Sequence, residues 1–443
     1  MIKRIGKALL IIIGVFALAT TALNYLGVAL DEKPLDYTGL YPIADVSSNN
    51  NGFDDLQEFL SEADEESSAE VEEALENAFN KARTDALLAQ HEHRLLLIEQ
   101  ALEKPSFKSH PIDFDSPFPN YGGYGDLLNI VLLKARSELQ AQNFPAAITH
   151  IELAVKLTQQ IKTDQSATLI TYLVGVSYQE KVMNWLHQFV SSQQLSESEL
   201  SQLMAVIDVI PDYHNDQFNM VFSGEFAYMQ SFPEEVSNPS IGARISALLD
   251  SDSDANLWWT VWQDNTAVNL LSIPSYNYFY QKNRTKNKLY KHLQYLQKQT
   301  TTNYCTKIDY QTIPSGQPSF WTSLGMNALS IVNHDTWSTY INRRCFSNFH
   351  TQAIKTIVAL KQYSLTYNKP VKTLEQLVPE YLDSVPIDAF TGEPILYNRS
   401  AQTLYSRGID ATAGNGEVAN FVARCFADIS CKNDPTISIE FDQ

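Results

Sequence analysis

Hydrophobic positions along the chain fall into three regimes. From Ala8 to Leu30 they run almost unbroken, as ALLIIIGVFALATTALNYLGVAL. From Phe53 to about residue 365 they recur at three- and four-residue spacing, the signature of helices with one buried face. Over the last eighty residues they shorten into runs of three to five between prolines and glycines, which predicts short strands and turns. The whole pattern predicts a mainly α protein: an N-terminal transmembrane helix, a large helical region and a small C-terminal α+β module with a short antiparallel hairpin.

Charge sharpens the reading of the first regime. Lys3, Arg4 and Lys7 precede the apolar run, and Asp31, Glu32 and Asp36 follow it. An uncharged helix of that length spans roughly 30 Å of hydrocarbon. The basic flank favours a cytoplasmic N-terminus. Residues 1–30 are therefore expected to be a single-pass anchor, meeting the membrane through residues 8–30, with the bulk outside the cytoplasm. A cleaved signal peptide is the competing reading, because an apolar core from Ala8 to Leu18 precedes the small-residue patch Ala19-Thr20-Thr21-Ala22. Apolar residues continuing through Tyr25, Leu26, Val28 and Leu30 favour retention, and both readings give the same compartment.

The rest of the chain divides into an expected linker over 31–52, a helical extracytoplasmic region over 53–300 and a C-terminal module over 301–443. In the helical region Phe53, Leu56 and Leu60 share a face. A second helix is expected from Ser68 to about Leu102, with acidic residues in its first turn. A Pro-, Gly- and aromatic-rich loop runs from Ser106 to Asp126. Helices resume at Asp126 and break at Asn143-Phe144-Pro145. Others are expected over 167–191, 196–209, 216–230, 257–271 and from Asn283. Residues 126–160, with Asn143-Phe144 at the turn, Ala147-Ile148 opening the second helix and Ala154 at the crossing, resemble a single tetratricopeptide-type hairpin. No second copy follows, and an array needs several.

The net charge of −19 is unevenly spread: residues 31–104 hold nineteen acidic and five basic side chains. Such a surface repels nucleic acid, so no nucleic-acid partner is expected. The four cysteines, Cys305, Cys345, Cys425 and Cys431, all lie in the C-terminal third. In an oxidising compartment an even number favours disulfides. Three pairings are open, and Cys305–Cys345 with Cys425–Cys431 is preferred. No cysteine pair or Cys/His cluster has zinc-ligand spacing.

The C-terminal run from Ile354 to Glu417 includes LEQLVPEYL, then Val385-Pro386-Ile387-Asp388-Ala389-Phe390-Thr391-Gly392, two strands over 394–398 and 403–406, and Gly408-Ile409-Asp410. This order and spacing resemble the C-terminal domain of the major pseudopilins of type II secretion. That likeness implies a small sheet beside a helix, a bacterial inner-membrane and periplasmic setting, and a calcium loop with Asp410, Asn415 and Glu417 as candidate ligands. The chain lacks the glutamate of a prepilin-peptidase site and is far larger than a pilin subunit. The likeness therefore implies a shared module, not filament assembly.

Other candidate chemistry is sparse. Asp113 and Asp115, with Asp126, bracket Tyr121 and Tyr124; paired carboxylates beside aromatic platforms suit glycoside hydrolysis. Asp250-Ser251-Asp252-Ser253-Asp254 opens like a calcium loop but has Ala255 and Val261 where glycine and glutamate are needed. His91 and His93 lie two apart, which on a helix points them to different faces. Trp258, Trp259 and Trp262 fit a buried helical stripe. The sequence contains no nucleophile elbow, P-loop, HExxH or dinucleotide fingerprint. No cofactor is expected beyond calcium. The function expected is binding or scaffolding in the cell envelope through a protein partner. The alternatives are a hydrolase using carboxylates on glycan or peptide, and an accessory component of a type II secretion or pilus-like machine.

Overall fold

The computed structural model describes residues 14–15, 18, 22, 29–40, 50–60, 65–110, 119–163, 168–215, 218–237, 282–309, 334–412 and 435–439. The chain divides into two compact units, a smaller one of residues 1–41, 226–296 and 311–336 and a larger one of residues 42–225, 297–310 and 337–443. Among the described residues there are eleven α-helices and one three-stranded antiparallel sheet.

The larger unit opens with α1 (Gly52–Leu60), which buries Phe53, Leu56 and Leu60 as their spacing predicts. The single helix expected from Ser68 to Leu102 is instead three: α2 (Glu65–Glu76), α3 (Lys81–Gln90) and α4 (Glu92–Glu103). Asn80 makes the first break, because its side chain accepts from Arg83 N at 3.1 Å and caps α3. His91, 3% exposed, makes the second at the junction of α3 and α4.

The next helix, α5 (Tyr121–Gln140), starts five residues before Asp126. Asn120 caps it by accepting from Gly123 N at 3.2 Å. Its glycines answer close approach, not a loop: a Cβ on Gly123 would lie 2.5 Å from Leu60 Cδ2, and one on Gly125 3.0 Å from Tyr178 Oη. Arg136 of α5 donates to the carbonyls of Ala74, Leu75 and Asn77 at 3.0, 2.8 and 2.9 Å. A cation at the C-terminal end of α2 satisfies its orphan carbonyls and complements the helix dipole.

After a turn with Gln142 at φ +58°, α6 (Phe144–Lys162) returns along α5, burying Ala147, Ile151 and Ala154. Then α7 (Leu169–Ser192) packs against α6, where a Cβ on Gly175 would come within 2.8 Å of the Lys162 backbone. A capping box of Ser196 and Glu199 starts α8 (Glu197–Asp208). Three further helices follow: α9 (Asn219–Ser237), α10 (Lys282–Thr302) and α11 (His334–Tyr367).

From Trp337 to Tyr363, α11 is buried on nearly every side, with Ile341, Phe349, Ile354, Ile357 and Val358 at 0% exposure. A helix buried on nearly every side belongs at the centre of its unit, and the polar residues it carries must find partners there. Polar bonds fix its register. Gln362 Nε2 donates to Ser201 Oγ of α8 at 3.0 Å, and Trp337 stacks on Phe222 with centroids 5.3 Å apart. Gln179 of α7 accepts from Lys162 Nζ at 3.1 Å and donates to Thr351 Oγ1 at 3.0 Å. Beside it, Arg343 Nη2 donates to Ser177 Oγ at 2.6 Å and lies 3.7 Å from Glu180 Oε2. Burial pushes the Glu180 carboxyl up to about 7, against the opposing pull of Arg343 and Lys162. Burial, with His187 nearby, pushes His350 of α11 down to about 3, so it is a neutral imidazole.

The C-terminal segment forms the expected hairpin, slightly shortened. β1 (Leu396–Asn398) and β2 (Thr403–Tyr405) pair antiparallel with Tyr397 opposite Leu404, and β3 (Thr436–Ser438) pairs antiparallel with the other edge of β2. The LEQLVPEYL run forms a 3-10 turn over Leu374–Leu377 instead of a helix. Pro379 offers no N–H and biases Val378 away from helical geometry. Asp388, 1% exposed, holds the corner before the hairpin. Its carboxylate accepts from Phe390 N at 3.1 Å, Thr391 Oγ1 at 3.2 Å, Ser406 Oγ at 2.8 Å and Arg407 N at 3.2 Å. Gly392 at φ +79° and Gly408 at φ +61° supply the left-handed residues of this corner.

In the smaller unit, residues 31–40, expected to be a linker, are fastened to α10. The Asp31 carboxylate accepts from Asn283 N and Arg284 N at 2.8 and 3.0 Å, capping that helix. Asn287, 2% exposed, accepts from Leu35 N at 2.9 Å and the Tyr37 hydroxyl at 2.8 Å, and donates to Lys33 O at 2.9 Å. Tyr37 packs its ring between Phe226 and Tyr290, at 5.2 and 5.3 Å. Among the described residues no helix is long and apolar enough to cross a membrane; most of residues 8–30 lie outside them.

Candidate functional site

Four segments far apart in sequence converge in the larger unit around a cleft of about 320 Å³. One wall comes from α11, which presents Asn348, Gln352 and Lys355; their spacing of four and three puts them on one face. A second comes from Asp208 at the end of α8 and the turn Asp212-Tyr213-His214. The third is the loop from Leu382 to Ala389, with Tyr304 beside it.

Buried contacts hold the walls. Arg344, 4% exposed, places its guanidinium 3.8 Å from the centre of the Tyr213 ring and donates to the Tyr213 and Thr300 carbonyls. Tyr213 stacks on Tyr304 at 5.7 Å and donates its hydroxyl to Asn303 O at 3.2 Å. Cys305, next to Tyr304, lies at disulfide-bonding distance from Cys345 of α11, with Cα atoms 6.5 Å apart. Cys305 N and Thr306 N donate to Ala389 O and Phe390 O at 3.2 and 2.9 Å. These bonds tie the Tyr304 wall to the Asp388 corner.

Most polar groups of the cleft are committed. Lys355 Nζ pairs with Asp208 Oδ1 at 3.1 Å, and Gln352 Nε2 donates to Asp212 Oδ1 at 2.6 Å. Asn348 and Asp383 are not. Asn348 is 9% exposed, and its side-chain amide has no hydrogen-bond partner among the described residues. Asp383, exposed on the rim, has no basic partner among them either. Three carboxylates thus surround one compensated lysine and one unused buried amide. That arrangement can receive a polar ligand; the volume is at the lower end for small-molecule sites.

Among the described residues, none of those singled out from sequence as candidate ligands or catalytic groups lines this cleft. Asp113 and Asp115 fall outside the described residues, as do Asn415, Glu417, Cys425, Cys431, the Asp250–Asp254 run and the three tryptophans near it. Tyr124, expected in an aromatic loop, is 1% exposed inside α5 and stacks on Phe53, so it is no platform for a sugar. Asp126 is half-buried on the same helix, and burial raises its carboxyl above the usual range. Asp410 spends its carboxylate on Thr412, accepting from its N at 2.9 Å and Oγ1 at 2.8 Å, which holds its pKa low.

The cleft residues left one trace in the sequence: the polar line Arg344, Asn348, Gln352 and Lys355 along one face of α11. Compared with known protein families, curated proteins and solved structures, the chain matches none.

Proposed function

We propose that this chain is a membrane-anchored extracytoplasmic binding protein of the cell envelope, and that its ligand enters the cleft lined by Asn348, Asp383 and Tyr304. The observation that carries the binding role is the Asn348 amide. The amide lines the cleft without a protein partner among the described residues, so a ligand can hydrogen-bond it without breaking a bond within the protein. The apolar run over 8–30 and the paired Cys305 and Cys345 support the extracytoplasmic address.

Two measurements test this. A periplasm-active reporter fused after Gln443 should be active and a cytosol-active one silent; the reverse result removes the address. For binding, the full-length detergent-solubilised chain and Asn348→Trp, which fills the cleft, are screened by thermal shift against a set of amines, carboxylates, sugars and short peptides. At least one should raise Tm in the native chain and not in the filled variant. No shift with any class, or equal shifts in both proteins, refutes a ligand in this cleft.

A further inference from the structure

The chemistry of the cleft's free groups narrows the ligand, given the binding role proposed above. We infer that the cleft receives an aliphatic cation: an ammonium group on a hydrocarbon stem, carried either by a free diamine or by a lysine side chain. The rim contributes three carboxylates, Asp208, Asp212 and Asp383, against one lysine. Lys355 does not cancel them evenly, because its ammonium is already compensated by Asp208 at 3.1 Å. Asp383, exposed and unpaired, and Asp212, held by a neutral glutamine, leave a negative field at the mouth.

Inside, the Asn348 amide has no partner among the described residues, like the Ser384 and Tyr304 hydroxyls, and its oxygen accepts hydrogen bonds. An ammonium group has three donors and no acceptor, so it satisfies that oxygen and a rim carboxylate together. The remaining surface suits a stem. Tyr213 and Tyr304 stack as one slab, and Leu382, Pro386 and Ile387 line the same cleft. Lys355 is the local precedent: its hydrocarbon chain lies buried in this cleft while its ammonium meets an aspartate at the edge.

The test uses the full-length chain and calorimetric titration with 1,5-diaminopentane, its neutral counterpart 1,5-pentanediol and its anionic counterpart glutarate. The diamine should bind, with affinity falling as salt rises, and the other two should not. Asp383→Asn alters an exposed rim residue and should weaken the diamine about tenfold, the loss of one charge-assisted contact; Asn348→Leu should abolish binding. A neutral peptide bearing one central lysine distinguishes the two sources. Binding of the peptide with equal or greater affinity assigns the ammonium to a protein or peptide, whereas binding of the diamine alone assigns it to a free amine.

Diamine affinity unchanged in both variants overturns the inference. So does pentanediol or glutarate binding as tightly as the diamine; if Asn348→Leu removes that binding, the cleft is still a ligand site and only the cationic assignment falls. No binding by any of the three probes also overturns it, and the broader screen then judges the binding role by itself.

Discussion

Glu180→Gln isolates one buried charge in the core of the larger unit. Glu180 is 8% exposed, and burial raises its carboxyl from 4.5 to about 7 despite Arg343 at 3.7 Å. In the unfolded chain this proton leaves near 4.5. Between pH 4.5 and 7 the folded state therefore holds more protons than the unfolded one, and stability falls as pH rises through that window. At 1.36 kcal/mol per pH unit the span is worth ~3 kcal/mol, lost by pH 7 and flat above it. Glutamine keeps the neutral shape at every pH. The variant should match the native chain at pH 4.5 and exceed it by about 3 kcal/mol at pH 7.5. Urea unfolding followed by tryptophan fluorescence at pH 4.5, 6 and 7.5 reads the difference, in which every other titrating group cancels. A difference independent of pH refutes the reasoning. A variant weaker than the native chain at pH 7.5 refutes it more sharply, since Glu180 would then be an ionised partner of Arg343.

Trp337→Ala should lower stability by about 4 kcal/mol, because a fully buried indole stacked on Phe222 leaves a large void. Urea midpoints test this, and a loss under about 1 kcal/mol would mean the site collapses or was never packed. Asp388→Ala strands four buried or half-buried donors and should cost at least about 3 kcal/mol. Its effect should appear first as lost hydrogen-exchange protection at Thr403–Tyr405, and unchanged protection there would deny Asp388 its role in holding the hairpin.

The helical part was legible wherever one face is apolar and the other is not. Phe53, Leu56 and Leu60 gave α1, the Asn143-Phe144-Pro145 break gave the α5–α6 hairpin, and the C-terminal turn signals gave β1 and β2. Glycine misled at the start of α5. Gly123 and Gly125 read as loop residues but are small because Leu60 and Tyr178 press against them, a tertiary demand without local trace. Asn80 started a new helix inside a stretch whose periodicity runs on, since its side-chain cap outweighs a continuing pattern, and the chain breaks again at the buried His91. The cleft was the least legible feature. Its walls come from residues near 210, 350 and 385, and sequence periodicity reports on one segment at a time. The polar line along α11 was visible, but only packing shows that Gln352 and Lys355 are spoken for while Asn348 is not.

β2 owes its sheltered position to Thr436–Ser438, which lies along its outer side. Proteolytic trimming just before Pro435 would strip that neighbour and leave Thr403–Tyr405 with a row of bare amides and carbonyls. Such a rim invites a strand from another molecule to zip onto it. The strand Thr436–Ser438 thus takes up the pairing groups that β2 would otherwise present to another chain.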